Sequence, residues 1–112
     1  MSCKSVIVVH PDSGIRILLR TALEARGILV ATDHSAADLL GWKSDLRPSL
    51  VLIDRGMVAD GGIDLLSEIR RKWKETESVL LPEELSDASL GTLLGIVDRL
   101  LGMRTTGELL AV

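Results

Sequence analysis

Residues Leu50-Val51-Leu52-Ile53 form an uninterrupted apolar run that stops on a carboxylate, Asp54. No polar residue alternates within the run. That fits a strand covered on both faces, not one half open to water. In an open parallel sheet, ligands and reactive groups sit just beyond the carboxyl ends of the strands. Asp54 therefore stands where a sheet would present it to a crevice, with a turn or a helix cap as the plain structural alternative. Gly56, Gly61 and Gly62 then mark a loop. A helix is predicted after Gly62, with Ile63, Leu66, Ile69 and Trp73 at helical spacing.

Two similar units come earlier. Val6 to Val9 reads as a buried strand, ended by His10-Pro11 because Pro cannot donate to a strand ladder. Asp12 or Ser13 caps the next helix. Ile15, Leu18, Leu19, Ala22 and Leu23 fall on its apolar face, Arg16, Arg20, Glu24 and Arg26 fill the other, and Gly27 ends it. Ile28 to Ala31 is the second strand. Ser35 caps a second helix, with Asp38 three residues on in a near capping box, and Ala36, Leu39, Leu40 and Trp42 face inward. Pro48 closes the connection to the Asp54 strand. Strand–helix repeated with short loops predicts an α/β fold: a doubly wound parallel sheet with right-handed crossovers. The first strand then lies beside the third, so its end and Asp54 border one crevice.

At 112 residues this is one domain, and with no Phe or Tyr its core is built from Leu, Val and Ile. The net charge of −3 argues against a nucleic-acid surface. Arg70, Arg71, Lys72 and Lys74 read instead as the solvated C-terminal end of a helix, where cations suit the dipole. Cys3 is the only cysteine, which excludes an intrachain disulfide and suits a reducing compartment. No apolar stretch approaches the roughly 18 residues that span a bilayer, and Val6 to Val9 is too short for a signal peptide. A cytoplasmic protein without membrane or nucleic-acid contacts is expected.

The stretch from Arg47 to Gly62 resembles the phosphoacceptor segment of two-component response-regulator receiver (CheY-like) domains. Asp54 matches the acceptor, Met57 a common apolar loop position and Gly62 the loop glycine, while Val58 stands where the family usually has Pro. The resemblance covers roughly residues 4 to 74 and implies a flavodoxin-like fold. The last third departs from it. Only one further unit is evident: Val79-Leu80-Leu81, Pro82, and a helix through about Leu101. Pro82 matches the Pro that ends the family's final strand, but Leu81 replaces the Lys before it. On that alignment the fourth strand and fourth helix are missing. On the other, Val79 to Leu81 is the fourth strand, Glu108 to Val112 is a fifth, and the last helix is lost. Either way the expectation is a shortened receiver over residues 1–102, of four strands with one strand–helix unit missing, and a C-terminal tail over 103–112.

The resemblance also implies a chemistry. Phosphoryl transfer to a carboxylate needs a hard divalent cation, Mg²⁺, held by oxygen ligands. The family supplies an acidic pair after the first strand, the acceptor Asp, a backbone carbonyl two residues beyond it, a Ser or Thr, and a Lys. Here Asp54 is the candidate acceptor and metal ligand, and Gly56 the candidate carbonyl. His10 and Pro11 occupy the acidic pair. Asp12 is left as a candidate metal carboxylate, or as the cap of the first helix. No Lys aligns with the family Lys, and nothing places Ser78 or Ser86 in the site. Weak Mg²⁺ binding and a poor acceptor are expected, with Asp54 free to pair with His10. His34 reads as an ordinary polar residue before a helix.

Two functions stay open: a pseudo-receiver acting through protein–protein contacts, and a receiver phosphorylated on Asp54 by a histidine kinase. A small nucleotide- or flavin-binding domain is a third, lacking a glycine-rich loop after the first strand. No catalytic set is found, so a signalling module and not an enzyme is expected, with a histidine kinase or another signalling protein as partner. The last helix has a wide apolar face and carries Gly91 and Gly95 four apart. Each glycine costs about 1 kcal/mol against Ala, which close approach of another helix would explain. A homodimer through the last strand–helix unit is expected, by exchange about a Lys74–Ser78 hinge.

Overall fold

The computed structural model describes residues 4–35, 38–39, 41, 47–60, 65–82 and 84–102. Four strands, β1 (Ser5–Val9), β2 (Leu29–Asp33), β3 (Leu50–Asp54) and β4 (Glu77–Leu81), form one parallel sheet in the order β2-β1-β3-β4. The helices among the described residues are α1 (Ser13–Glu24), α2 (Arg55–Asp60), α3 (Leu65–Lys72) and α4 (Asp87–Leu100). Residues 38–39 are helical as well.

The missing alternation in the central strands follows from double coverage. Val6, Val8, Leu50 and Leu52 pack on Leu19 and Leu23 of α1 and on Leu93 and Val97 of α4. Ile7, Val9, Val51 and Ile53 face the other way, onto Leu39, Leu65, Ile69 and Trp73. Burying each such side chain contributes about 1.5–3 kcal/mol relative to exposure. The edge strand β2 is more open, and Leu29 is exposed. It also runs on to Asp33, because Thr32 and Asp33 pair with Val8 and Val9. Leu18 points to solvent, so the buried stripe of α1 is narrower than its sequence suggests.

The position of α4 decides between the two alignments of the last third. A right-handed crossover onward from β4 would put its helix on the α3 face. Instead α4 lies on the α1 face. That is the face a closing helix takes, which fits a final strand–helix unit with the preceding unit missing. Residues 108–112, the alternative fifth strand, lie outside the described residues.

Several local expectations change. The loop expected after Asp54 is helical over α2, which starts at the very next residue. Gly61, Gly62 and Ile63 lie outside the described residues, as do Ala36, Leu40 and Trp42. Ser35 does cap the following turn, accepting from the Asp38 amide at 3.1 Å. The reciprocal half of the box is replaced: the Ser35 amide donates to Asp33, and the Asp38 carboxylate meets His34 instead. Ser86 is the N-cap of α4, in a capping box with Ser89.

Candidate functional site

The parallel register brings the strand ends together. Val9 is level with Ile53 and with Asp33, so His10 and Asp54 emerge side by side at the carboxyl edge of the sheet. The His10 amide donates to the Asp33 carbonyl at 3.1 Å, which holds the exit of β1 against β2. The Arg16 guanidinium reaches back from α1 to the His10 carbonyl at 2.6 Å.

His10 is fixed at both nitrogens. Its Nδ1 accepts from the Asp12 amide at 3.0 Å. The ring proton of that tautomer sits on Nε2, which faces Asp54 Oδ1 at 3.4 Å. The other carboxylate oxygen, Oδ2, accepts from the Met57 amide at 3.3 Å. Asp54 is therefore the N-cap of α2, three residues ahead of the amide it satisfies. The side chains of His10 and Asp54 are 16% and 22% exposed, so water reaches the carboxylate.

Asp12 repeats this geometry one strand over. Its Oδ1 accepts from the Gly14 amide at 2.7 Å and the Ile15 amide at 3.3 Å, capping α1. Both caps have the form Asp-x-Gly. A Cβ on Gly14 would lie 3.1 Å from Asp12 Oδ1, and one on Gly56 would lie 3.1 Å from Asp54 Oδ2. The glycines thus give each carboxylate room to fold over its helix start.

The family's Mg²⁺ site needs free oxygens converging on one point. The geometry does not offer them. Both Asp54 oxygens face protein donors, and Asp12 is exposed and turned to α1. Pro11 has no ligand atom, and Gly56 sits in the first turn of α2, where carbonyls point along the helix toward its C-terminus. Beside Asp54 in the sheet stands Leu81, an apolar residue. Ser78 is level with Val51, well back from the edge, and Ser86 is committed to α4. One more group forms at this edge: His34 lies 3.4 Å from both Asp33 Oδ1 and Asp38 Oδ2, so it is bracketed by two carboxylates and not a bystander. Arg16 and the Met57 amide were not legible as site groups. Arg16 looks like any polar-face residue of α1, and an amide carries no side-chain signal.

The order of strands, the acid at the end of β3 and the flanking helices agree with the comparison that decides identity. The family model of the response regulator receiver domain matches residues 6–101. The chain belongs to that family. It is a receiver domain of two-component signal transduction, with the flavodoxin-like fold.

Among relatives, the receiver is 32% identical over 71 residues to the DNA-binding transcriptional regulator NtrC of Azospirillum brasilense, covering 63% of this chain and 15% of that protein. It is 26% identical over 110 residues to the acid tolerance regulatory protein ActR of Rhizobium meliloti, covering 96% of this chain and 57% of that one. The chain thus spans between 15% and 57% of the length of these curated relatives. In structure it is similar to the response regulator TrrA of Thermotoga maritima in complex with the histidine kinase ThkA, with a TM-score of 0.69, 25% identity, and coverage of 88% of this chain and 98% of that one. The Mg²⁺–BeF complex of TrrA gives 0.68 at 23% identity, covering 87% and 98%.

Proposed function

We propose that this receiver is a pseudo-receiver: a signalling module that acts through protein contacts, with Asp54 as a weak or vestigial phosphoacceptor and Mg²⁺ bound poorly or not at all. One observation carries the reading. The Asp54 carboxylate is held between the His10 imidazole and the Met57 amide, so the protein's own donors take the places that a cation would need. The missing acidic pair and the Leu81 that stands beside Asp54 support it. In an active site of this kind, clustered carboxylates repel one another until a cation arrives. Here that repulsion is relieved internally, and with it goes most of the drive to bind Mg²⁺.

The experiment is intact mass after incubation with acetyl phosphate and Mg²⁺, beside Asp54→Asn. The proposal expects no phosphoryl adduct on either protein. An adduct on the wild type alone would mean that Asp54 works as an acceptor, and would favour a receiver phosphorylated by a histidine kinase. A histidine kinase or another signalling protein is the partner class in either case, with this receiver in the cytoplasm.

The module is further read as a homodimer through β4 and α4. Among the described residues β4 pairs on one side only, with β3, and Ile96 of α4 is exposed. The last two residues of the expected Lys74–Ser78 hinge, Glu77 and Ser78, belong to β4. A monomeric mass by light scattering at tens of micromolar would rule the dimer out. Among the described residues no helix is long and apolar enough to cross a membrane.

A further inference from the structure

The opposite edge of the sheet, where the strands begin, has its own built surface. The starts of β1, β3 and β4 meet the ends of α3 and α4 around an open groove of about 710 Å³. Its floor is fixed by the backbone. The Thr76 hydroxyl, buried, donates to the Pro48 carbonyl at 2.6 Å. The Ser49 amide donates to the Ser5 carbonyl at 2.8 Å, and the Glu77 amide to the Ser49 carbonyl at 3.3 Å.

The charge around this floor is lopsided. Arg71 and Lys72 close the last turn of α3, where the helix dipole explains them. Arg71 is paired with Glu68, and Lys72 lies over the Trp73 ring at 5.3 Å. Lys74 stands just past the same helix end, but Lys4 and Arg47, ahead of β1 and β3, have no such reason to be here. All three line the same groove, and among the described residues no carboxylate lies within 4.0 Å of them. Glu75 and Glu77 are the lining acids, fewer than the cations. The indole N–H of Trp73, a lining residue, is buried with no partner among the described residues. Apolar surface adjoins the charge, since Leu100 at the rim is 44% exposed. A protein of net charge −3 thus gathers unpaired cations at one edge.

We infer that this groove docks an acidic peptide segment of a partner protein, its carboxylates on Lys4, Arg47 and Lys74 and an apolar side chain beside Leu100. Charge complementarity selects an anion, and the exposed leucine selects one that carries apolar side chains. A nucleic-acid strand fits less well. Glu75 and Glu77 would face its phosphates, and the aromatic ring available for stacking, Trp73, is buried. The inference does not depend on whether Asp54 is phosphorylated, because the groove lies at the other end of the strands.

The test is fluorescence anisotropy of a short fluorescein-labelled peptide alternating Glu and Leu, with Gln-for-Glu and Ser-for-Leu versions as controls. Saturable binding is expected at low salt, falling steeply as salt is added. The triple charge reversal Lys4→Glu, Arg47→Glu, Lys74→Glu should weaken it by about tenfold or more, as opposed charges are replaced by like ones, with far-UV circular dichroism unchanged. The milder Lys74→Gln should weaken it in part, and Asp54→Asn should leave it unchanged. Equal binding of the Gln peptide, full binding by the charge-reversed protein, or no saturable binding by the wild type would overturn the inference. Tighter binding of a single-stranded oligonucleotide at the same residues would overturn the choice of a peptide.

Discussion

Asp54 has two demands on it, one from the family's chemistry and one from its own helix. As the N-cap of α2 it satisfies an otherwise open amide, and the His10 imidazole faces its second oxygen at 3.4 Å. Asp54→Ala is expected to lose about 1 kcal/mol of stability in urea unfolding, whereas Asp54→Asn should lose less than half of that, since Asn caps about as well. His10→Ala removes the imidazole that faces the Asp54 carboxylate and leaves the Asp12 amide without its acceptor; a loss of about 1 kcal/mol is expected. The double replacement His10→Asp, Pro11→Asp restores paired carboxylates. It should raise Mg²⁺ affinity by about tenfold or more in calorimetry, equivalent to about 1.4 kcal/mol. No gain would mean that His10 is not what keeps the cation away.

The helices show how a residue's meaning depends on the element around it. Gly91 and Gly95 have open space where a Cβ would go, so they do not serve contact with the chain's own sheet. Gly91→Ala and Gly95→Ala should each stabilise the monomer by about 0.5–1 kcal/mol. A shift of the midpoint the other way, together with loss of a dimer, would show that another helix needs that space. Gly56→Ala is the internal comparison. Its Cβ would crowd Asp54 Oδ2 at 3.1 Å, so its gain should fall short of that at Gly91. The same unfolding midpoints check both.

For the whole molecule, closure depends on α4. Leu93, Val97 and Leu101 complete the core on the α1 face. Burial of each contributes about 1.5–3 kcal/mol, against a net stability of about 5–15 kcal/mol for a typical domain. A chain ended after Ser86 is expected not to fold, seen as loss of the cooperative thermal transition. The two ends of the sheet also differ in charge. Asp12, Asp33 and Asp54 gather where the strands end, and Lys4, Arg47 and Lys74, unpaired among the described residues, gather where they begin. The fold therefore offers two separate surfaces for recognition.

What the amino-acid order determined was the set of strands, their parallel arrangement, a cap at Asp12 or Ser13, the cap at Ser35, and the stop at Gly27, which has a φ of +79°. These are local: an apolar run, a capping side chain or a glycine carries its physical reason within a few residues. Only tertiary structure decided the rest. The helix that starts at Arg55 was hidden because three nearby glycines read as a loop, while the cap that favours the helix depends on where Asp54 turns. The side of the sheet taken by α4 depends on chain path and not on composition. The contact of His10 with Asp54, which the sequence offered only through the family resemblance, and the convergence of Lys4, Arg47 and Lys74 join residues far apart in sequence. No local pattern encodes such contacts, because strand register and crossover handedness bring them together only when the sheet is complete.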